Sequence, residues 1–181
     1  HSGSITKLIE FCPNAKIITS TRGEKGLNLH YKKDLNLKVV KSGEKLSIGK
    51  RTLEFYHIPM VHWPDSMVTY IPNDKLLIPN DAFGQHIASA ERFDDELEWG
   101  LLKDEAAKYY ANIVMPYGDQ VKKALDALVN LDIKMIAPSH GIIWRKYIPD
   151  IIKQYTKWAN FETDNKATII YDTMWGSTEK I

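Results

Sequence analysis

Residues 52–81 read TLEFYHIPMVHWPDSMVTYIPNDKLLIPND, and this stretch sets the fold at the centre of the chain. Residues 52–58 alternate between side chains of different polarity in the two-residue period of a β-strand. The runs Met67–Ile71 and Lys75–Ile78 flank Pro72-Asn73-Asp74, a turn sequence that predicts a hairpin between two further strands. The stretch therefore predicts an antiparallel arrangement of short strands.

Shorter patterns precede this sheet. Residues 4–11 carry apolar side chains at helical spacing, and Ser4 is the expected N-cap. The β-branched run at residues 16–19 predicts a short buried strand. Residues 38–40 and 46–48, which lie on either side of a Ser-Gly-Glu-Lys turn, predict a second hairpin.

Helical patterns follow the sheet. Residues 103–131 have helical periodicity, with Pro116-Tyr117-Gly118 as the break between two helices. Residues 135–137 predict a short strand, 148–161 predict a helix, and 167–171 predict a last β-run. Strands in the middle of the chain with helices at both ends indicate a layered α/β or α+β domain.

The composition is that of a folded protein without a cysteine framework. The chain has 181 residues, 24 Lys and Arg against 23 Asp and Glu, and 44% hydrophobic residues, which is too apolar for a disordered chain. The formal net charge of +1 gives no reason to expect nucleic acid as a partner. The single cysteine, Cys12, excludes an internal disulfide and a cysteine-based zinc cage, and we expect it to be buried.

The sequence shows no targeting or membrane segment. No uncharged apolar run approaches the roughly 18 residues of a membrane span, and no signal peptide is visible, so we expect a cytoplasmic protein without a membrane partner. The chain starts at His1 rather than Met, and residues 178–181 look like the start of a helix. We therefore expect a piece of a longer protein.

Four histidines and one aspartate stand at the ends of strands or in loops. They are His1, His62, His86 and His140, together with Asp81, which follows the predicted strand 75–78 through Pro-Asn. Side chains at strand ends are held rigidly yet face open space. Imidazoles together with a carboxylate suit Zn, Fe or Mn, and a carboxylate can bridge two cations. The set therefore predicts a metal site.

Other residues have an ordinary interpretation beside a functional one. A single loop histidine is more often a hydrogen-bonded surface residue, and we place His30 and His57 in that class. His86 could hydrogen-bond a substrate or a ligand, or be a polar pocket residue without a chemical role. Trp63 and Phe83 could line the pocket or pack in the core. We expect two further aromatic residues, Tyr109 and Tyr110, to be core residues.

The spacing and sequence of these motifs resemble a known family. His1, His62, Asp81 and His140 follow one another at intervals of 61, 19 and 59 residues, and this order resembles the second half of the metal site in the metallo-β-lactamase superfamily. More narrowly, His-Trp-Pro-Asp-Ser-Met at 62–67, Asn-Asp-Ala-Phe-Gly at 80–84 and Pro-Ser-His-Gly at 138–141 resemble the flavodiiron proteins. Tyr171–Thr178 is similar to the first strand and FMN-phosphate loop of their flavodoxin-like domain.

The resemblance implies a fold and a set of site residues. Residues 1–163 would form the C-terminal portion of a four-layer αβ/βα metallo-β-lactamase-like sandwich, and 166–181 would begin the flavodoxin-like domain. His62 would bind the first iron, His140 the second, and Asp81 both, with His1 as a variable ligand of the second iron. The leading His, the Glu and the Asp of the first motif would lie before residue 1. The FMN phosphate would sit on Thr173, Met174, Trp175, Gly176, Ser177 and Thr178.

The implied function is reductive. A di-iron site fed with electrons by FMN would reduce O2 to water, NO to N2O, or both, with rubredoxin or a reduced deazaflavin as electron donor. The family also implies a head-to-tail homodimer or a tetramer. Two alternatives stay open: a di-zinc hydrolase of the same superfamily, for which the FMN loop would have no use, and an inactive fragment with an incomplete site.

Overall fold

The computed structural model describes residues 2–180 and contains five α-helices and seven β-strands within that range. Three short 3₁₀ segments, at Asp94–Glu96, Met115–Tyr117 and Thr178–Lys180, and a π-helical segment at Tyr110–Val114 complete it. The helices are α1 Ile5–Phe11, α2 Thr21–Tyr31, α3 Trp99–Tyr109, α4 Gly118–Leu128 and α5 Ile148–Ala159. The strands are β1 Ile17–Thr19, β2 Leu37–Val39, β3 Lys45–Ser47, β4 Thr52–His57, β5 Met67–Ile71, β6 Leu76–Ile78 and β7 Met135–Ile136.

The larger sheet has five strands in the order β3-β4-β5-β6-β7. Strands β3 to β6 run antiparallel to one another, whereas β7 adds to β6 in parallel. The predicted hairpin around Pro72–Asp74 is confirmed, since Tyr70 lies opposite Leu77 in the β5–β6 register. Val68 and Tyr70 of β5 are buried and their neighbours are only half-buried, as expected for a sheet with one face on the core.

The prediction of a hairpin between residues 38–40 and 46–48 is wrong. Strand β2 does not pair with β3 but runs parallel to β1 in a separate two-stranded sheet, with Ile17 opposite Leu37. Strand β3 pairs with β4 instead, because the chain reverses at Gly49-Lys50, where Gly49 has a φ of +90°. The backbone N–H of Ile48 donates to the carbonyl of Arg51 across this turn, at 2.9 Å. The tight turn at residues 49–50 therefore joins β3 to β4.

Three helices cover the larger sheet and complete the core. Leu102, Ala106 and Tyr109 lie on the buried face of α3, and Ile151 and Tyr155 lie on that of α5. Each large apolar side chain buried in this way contributes roughly 1.5–3 kcal/mol relative to an exposed one. Both neighbouring tyrosines, 109 and 110, are buried, which confirms their predicted place in the core. The helices α3 and α4 are separated by the π-helical and 3₁₀ segments, at the break predicted from Pro116.

Three local predictions differ from the structure. Cys12 is exposed, because α1, which it follows, buries none of its residues. The Ser4 hydroxyl makes no cap hydrogen bond. Residues 167–171 do not form a strand: no strand within residues 2–180 pairs with them, and Ile169 and Ile170 are 83% and 92% exposed. Without a neighbouring strand the segment has no ladder of hydrogen bonds, and its exposed backbone is left to water. None of the helices in the described range is long and apolar enough to cross a bilayer.

Candidate metal centre

The sheet topology brings three predicted site residues to one edge. His62 follows β4, Asp81 follows β6 and His140 follows β7. Because β4 and β6 are both antiparallel to β5, they point the same way, and β7 is parallel to β6. The carboxyl ends of all three strands therefore meet at the same edge of the sheet.

The Asp81 carboxylate lies between the two histidines. Its Oδ2 is 3.4 Å from His62 Nε2, and its Oδ1 is 3.4 Å from His140 Nε2. The Asp81 side chain is only 6% exposed, whereas those of His62 and His140 are 24% and 37% exposed. Each carboxylate oxygen thus faces a different imidazole, in a cluster that opens to solvent on the histidine side.

Each of these distances is the one expected between an oxygen and a nitrogen that bind the same cation. Two nitrogen or oxygen donors, each about 2.1 Å from one tetrahedral cation, lie about 3.4 Å apart. Within residues 2–180, no three His, Cys, Asp or Glu side chains are placed to hold a single ion. The division of the Asp81 oxygens explains this: each cation position would receive one carboxylate oxygen and one imidazole from the described residues. Any further ligand would have to come from elsewhere.

Hydrogen bonds fix the loops that carry Asp81 and His140 to each other. The backbone N–H of Ser139 donates to the carbonyl of Asn80 at 2.7 Å, and the Ser139 hydroxyl donates to Asn80 Oδ1 at 3.0 Å. Both pairs connect the residue just before one candidate ligand with the residue just before the other. The loops therefore cannot separate without breaking backbone as well as side-chain hydrogen bonds.

The loop that carries His62 is stabilised by a buried serine. The hydroxyl of Ser66 accepts from the backbone N–H of Trp63 at 3.0 Å, and the Ser66 N–H donates back to the Trp63 carbonyl at 3.1 Å. The Ser20 hydroxyl, which caps α2 by accepting from Gly23 N–H, also donates to the carbonyl of Asp65 at 3.2 Å. Helix α2 is thus tied to the far side of this loop.

A cavity of about 660 Å³ lies over the three side chains. His86 and Tyr109 line it, and the His86 ring centroid is 4.8 Å from that of Tyr109 and 5.6 Å from that of His140. Burial, and to a smaller extent the charge of Asp81, raises the pKa of the Tyr109 phenol, which stays protonated at neutral pH. Tyr109 could not be assigned to a site from the sequence, because its helical spacing is that of a core residue.

The remaining candidates occupy different surroundings. Trp63 is exposed at the cavity, with its ring 5.7 Å from that of His62, whereas Phe83 is buried against Tyr155 in the core. His57 donates from Nε2 to the carbonyl of Val40 at 3.0 Å, which is the ordinary hydrogen-bonded role predicted for it. His30 lies on the cavity wall, a position that the sequence did not indicate. His1, a predicted ligand, falls outside the described residues.

The predicted phosphate loop is an irregular, mostly exposed segment that ends in a single 3₁₀ turn. Within the described range, Thr173 Oγ1 is buried without a hydrogen-bond partner. Gly176 has a φ of +70°, a conformation that favours glycine. The loop offers hydroxyl and backbone donors of the kind that bind phosphate, and none of its residues 173–178 belongs to a strand of either sheet.

Comparisons with known proteins identify the family and the fold of the chain. The sequence model of the ODP family of β-lactamases matches residues 2–141. The chain is 53% identical to the nitric oxide reductase of Moorella thermoacetica over all of its own length and 46% of that protein. Its structure superposes on rubredoxin oxygen:oxidoreductase from Desulfovibrio gigas with a TM-score of 0.95, at 45% identity, over 99% of this chain and 46% of that one.

A second solved structure extends the similarity. The flavodiiron protein from Giardia intestinalis superposes with a TM-score of 0.93 at 34% identity, over 99% of this chain and 44% of that one. The chain spans about half the length of the curated relatives it matches. The chain therefore belongs to the ODP family of β-lactamase domains, and its similarity to flavodiiron proteins confirms the family resemblance and the α/β fold expected from its motifs.

Proposed function

We propose that this chain contributes the metal centre of a flavodiiron oxidoreductase, in which His62, Asp81 and His140 hold two iron ions and O2 or NO is reduced. The observation that carries the proposal is the Asp81 carboxylate, whose two oxygens each lie 3.4 Å from a different imidazole. The names of the similar proteins, a nitric oxide reductase and an oxygen oxidoreductase, support the same reaction class. The iron ions would supply electrons and Lewis-acid stabilisation of the charge that develops on oxygen.

The residues of the chain itself prepare the site in three ways. Asp81 places a buried negative charge where it can offset the charge of two cations. His62 and His140 present Nε2 toward it from two separate loops. Tyr109 and His86 line the cavity above, where a phenol or an imidazole N–H can donate a hydrogen bond to a bound diatomic molecule.

The electron supply extends the proposal beyond the metal centre. Residues 173–178 would hold the phosphate of FMN through the hydroxyls of Thr173, Ser177 and Thr178 and through backbone N–H groups near Gly176. A rubredoxin or a reduced deazaflavin would reduce the flavin. A head-to-tail homodimer or tetramer would bring the flavin of one subunit to the metal site of the next.

The test uses the full-length protein and the His140→Ala variant. We expect iron content and O2 or NO consumption to fall together, because one cation position loses its imidazole. Metal analysis and an oxygen or nitric oxide electrode measure the two quantities. His57→Gln is the matched control, since it removes an imidazole whose Nε2 donates to the Val40 carbonyl and should leave both values unchanged.

The outcome also decides between iron and zinc chemistry. Retained iron and activity in His140→Ala would remove this residue from the site. A wild-type protein that contains zinc, hydrolyses an ester or amide, and has no flavin absorption would contradict the redox proposal altogether.

A further inference from the structure

We propose that Gln85 is a positioning residue that holds the His140 loop against the Asp81 loop and so sets the separation of these two side chains. The inference rests on the proposed function for its effect on metal binding. Gln85 is fully buried and is one of the largest polar side chains in the interior of residues 2–180.

The side chain of Gln85 bonds to both loops at once. Its Nε2 donates to the carbonyl of Phe83 at 3.0 Å and to that of Ile142 at 3.5 Å, and its Oε1 accepts from the N–H of Ile142 at 2.8 Å. The backbone N–H of Gln85 donates to the carbonyl of His140 at 3.3 Å. Phe83 is two residues after Asp81, and Ile142 is two residues after His140. The amide therefore bridges equivalent points of the two ligand-bearing loops.

The backbone of the His140 loop packs closely against the Gln85 amide. Gly141 has a φ of +84°, and a Cβ atom there would lie 1.8 Å from Gln85 Oε1 and 2.7 Å from the Gln85 carbonyl oxygen. The backbone next to His140 thus reaches its position only because residue 141 has no side chain and residue 85 has an amide of this length. The two residues interlock, and any change in one displaces the other.

Only a primary amide can make all three hydrogen bonds at this position. It must accept from one N–H while donating to two carbonyl groups, which requires the oxygen and the NH2 of a glutamine. A methionine has nearly the same shape but offers neither function. A carboxylate could still accept from the Ile142 N–H, but its second oxygen would face the carbonyl oxygens of Phe83 and Ile142 with no proton to give them when ionised.

Other contacts hold the fold when Gln85 is replaced. The Phe83 N–H donates to the Tyr155 hydroxyl at 2.7 Å, and Trp144 Nε1 donates to the Phe83 carbonyl at 2.8 Å. The two hydrogen bonds between Asn80 and Ser139 also remain. The loops therefore stay attached, and the expected defect is a looser distance between Asp81 and His140 rather than unfolding.

The experiment compares metal binding with stability in the full-length protein. Gln85→Met and Gln85→Glu are titrated with Co²⁺, and their affinity and visible absorption bands are measured together with unfolding in urea. Loss of a hydrogen bond that orients ligands typically costs roughly 10–100-fold in metal affinity, and we expect a loss of this size with altered Co²⁺ bands. Leu35→Ala is the control: it removes a buried side chain just before β2, so it lowers stability while all the hydrogen bonds of the Gln85 amide remain.

Each outcome has one interpretation. Weakened Co²⁺ binding with altered bands in the Gln85 variants, but not in Leu35→Ala, supports positioning. Wild-type affinity and bands in a folded Gln85 variant would show that the amide only packs, and would overturn the inference while leaving the metal centre intact. If wild-type protein itself binds no Co²⁺ or iron, the proposed function fails first. If Gln85→Met does not fold, Gln85→Glu and Gly141→Ala, which displaces the amide from the other side, give the same comparison.

Discussion

Two buried carboxylates, Glu54 on β4 and Asp81 after β6, have different kinds of partner. Glu54 on β4 is satisfied by its own neighbours: the Lys45 ammonium donates to one oxygen and the Tyr56 hydroxyl donates to the other. Asp81 faces two imidazoles at the edge of the sheet, where cations can compete for it. The first carboxylate stabilises the strand pair, whereas the second is the bridging ligand of the proposed metal centre.

The hydrogen bonds of Glu54 are expected to make the stability of the folded protein depend on pH in the acid range. The hydrogen bond from Lys45, and then that from Tyr56, holds the pKa of the Glu54 carboxyl below its usual value of 4.5. A lowered pKa in the folded state stabilises the protein at neutral pH, and this contribution is lost as pH falls below 4.5 and through the folded value. We expect Glu54→Gln to be less stable than wild type at pH 7, by a margin that narrows toward pH 3.

Urea unfolding at a series of pH values measures this margin. The exposed Glu98→Gln is the control and should follow the wild-type curve throughout. Two parallel curves for wild type and Glu54→Gln would show that the Lys45 contact contributes nothing to the pH dependence.

At the scale of elements, the start of α5 depends on a carboxylate from a distant 3₁₀ turn. Asp94 is fully buried and accepts from the backbone N–H groups of Arg145, Lys146 and Tyr147, at 2.6–3.1 Å. These groups precede the first turn of α5, where backbone donors have no partner within the helix. Asp94 therefore fixes α5 to the segment before α3.

Removal of this carboxylate is expected to be costly. Asp94→Ala leaves several buried N–H groups without an acceptor, so we expect a loss of roughly 3 kcal/mol in the free energy of unfolding. Asp94→Asn, which keeps one acceptor oxygen, should lose about half as much. Urea denaturation measures both. The neighbouring Asp95→Asn breaks only a surface ion pair with Arg145 and should cost less than about 1 kcal/mol.

Elements whose partners lie close in sequence were predictable, and those with distant partners were not. The β5–β6 hairpin follows from its own turn residues, and the break between α3 and α4 follows from Pro116. The parallel pairing of β2 with β1 has no local signal, so nearby turn residues indicated a hairpin that does not form. Residues 167–171 have the composition of a strand but no neighbouring strand within residues 2–180.

The candidate site also contains residues that the sequence predicts and residues that it does not. Residue type and position at strand ends predict His62, Asp81 and His140 as candidates, and their proximity depends on the order and direction of β4, β6 and β7. The sequence does not predict the roles of Gln85 and Asp94, because a buried polar side chain has no sequence signature until its partners are known. Tyr109 was assigned to the core, where it lies, although its ring also reaches the cavity.

At the scale of the whole molecule, the metal centre and the tail are separate parts of the described structure. The chain spans about half the length of its relatives, and its last segment carries the exposed side chains of Met174 and Trp175 and the positive-φ Gly176. None of the residues from 173 to 178 lines the cavity over Asp81. Flavin binding and metal binding in the full-length protein are therefore expected to be separable.

Thr178→Ala tests this separation. We expect weaker FMN binding, because a hydroxyl at the start of the terminal 3₁₀ turn no longer donates to the phosphate, while iron content stays at the wild-type level. Flavin fluorescence on titration with FMN and metal analysis provide the two values. Thr163→Ala, an exposed threonine before the tail, is the control. Unchanged flavin affinity would exclude Thr178 from the phosphate site.

The parallel addition of β7 to β6 also bears on the order of assembly. His140 comes beside Asp81 only after a chain segment of 59 residues has folded back to dock a two-residue strand at the rim of the sheet. Such long-range closure is slow compared with hairpin formation. Ion binding during refolding would then begin only once β7 has paired with β6. Stopped-flow absorbance with Co²⁺ would measure the rate of this step.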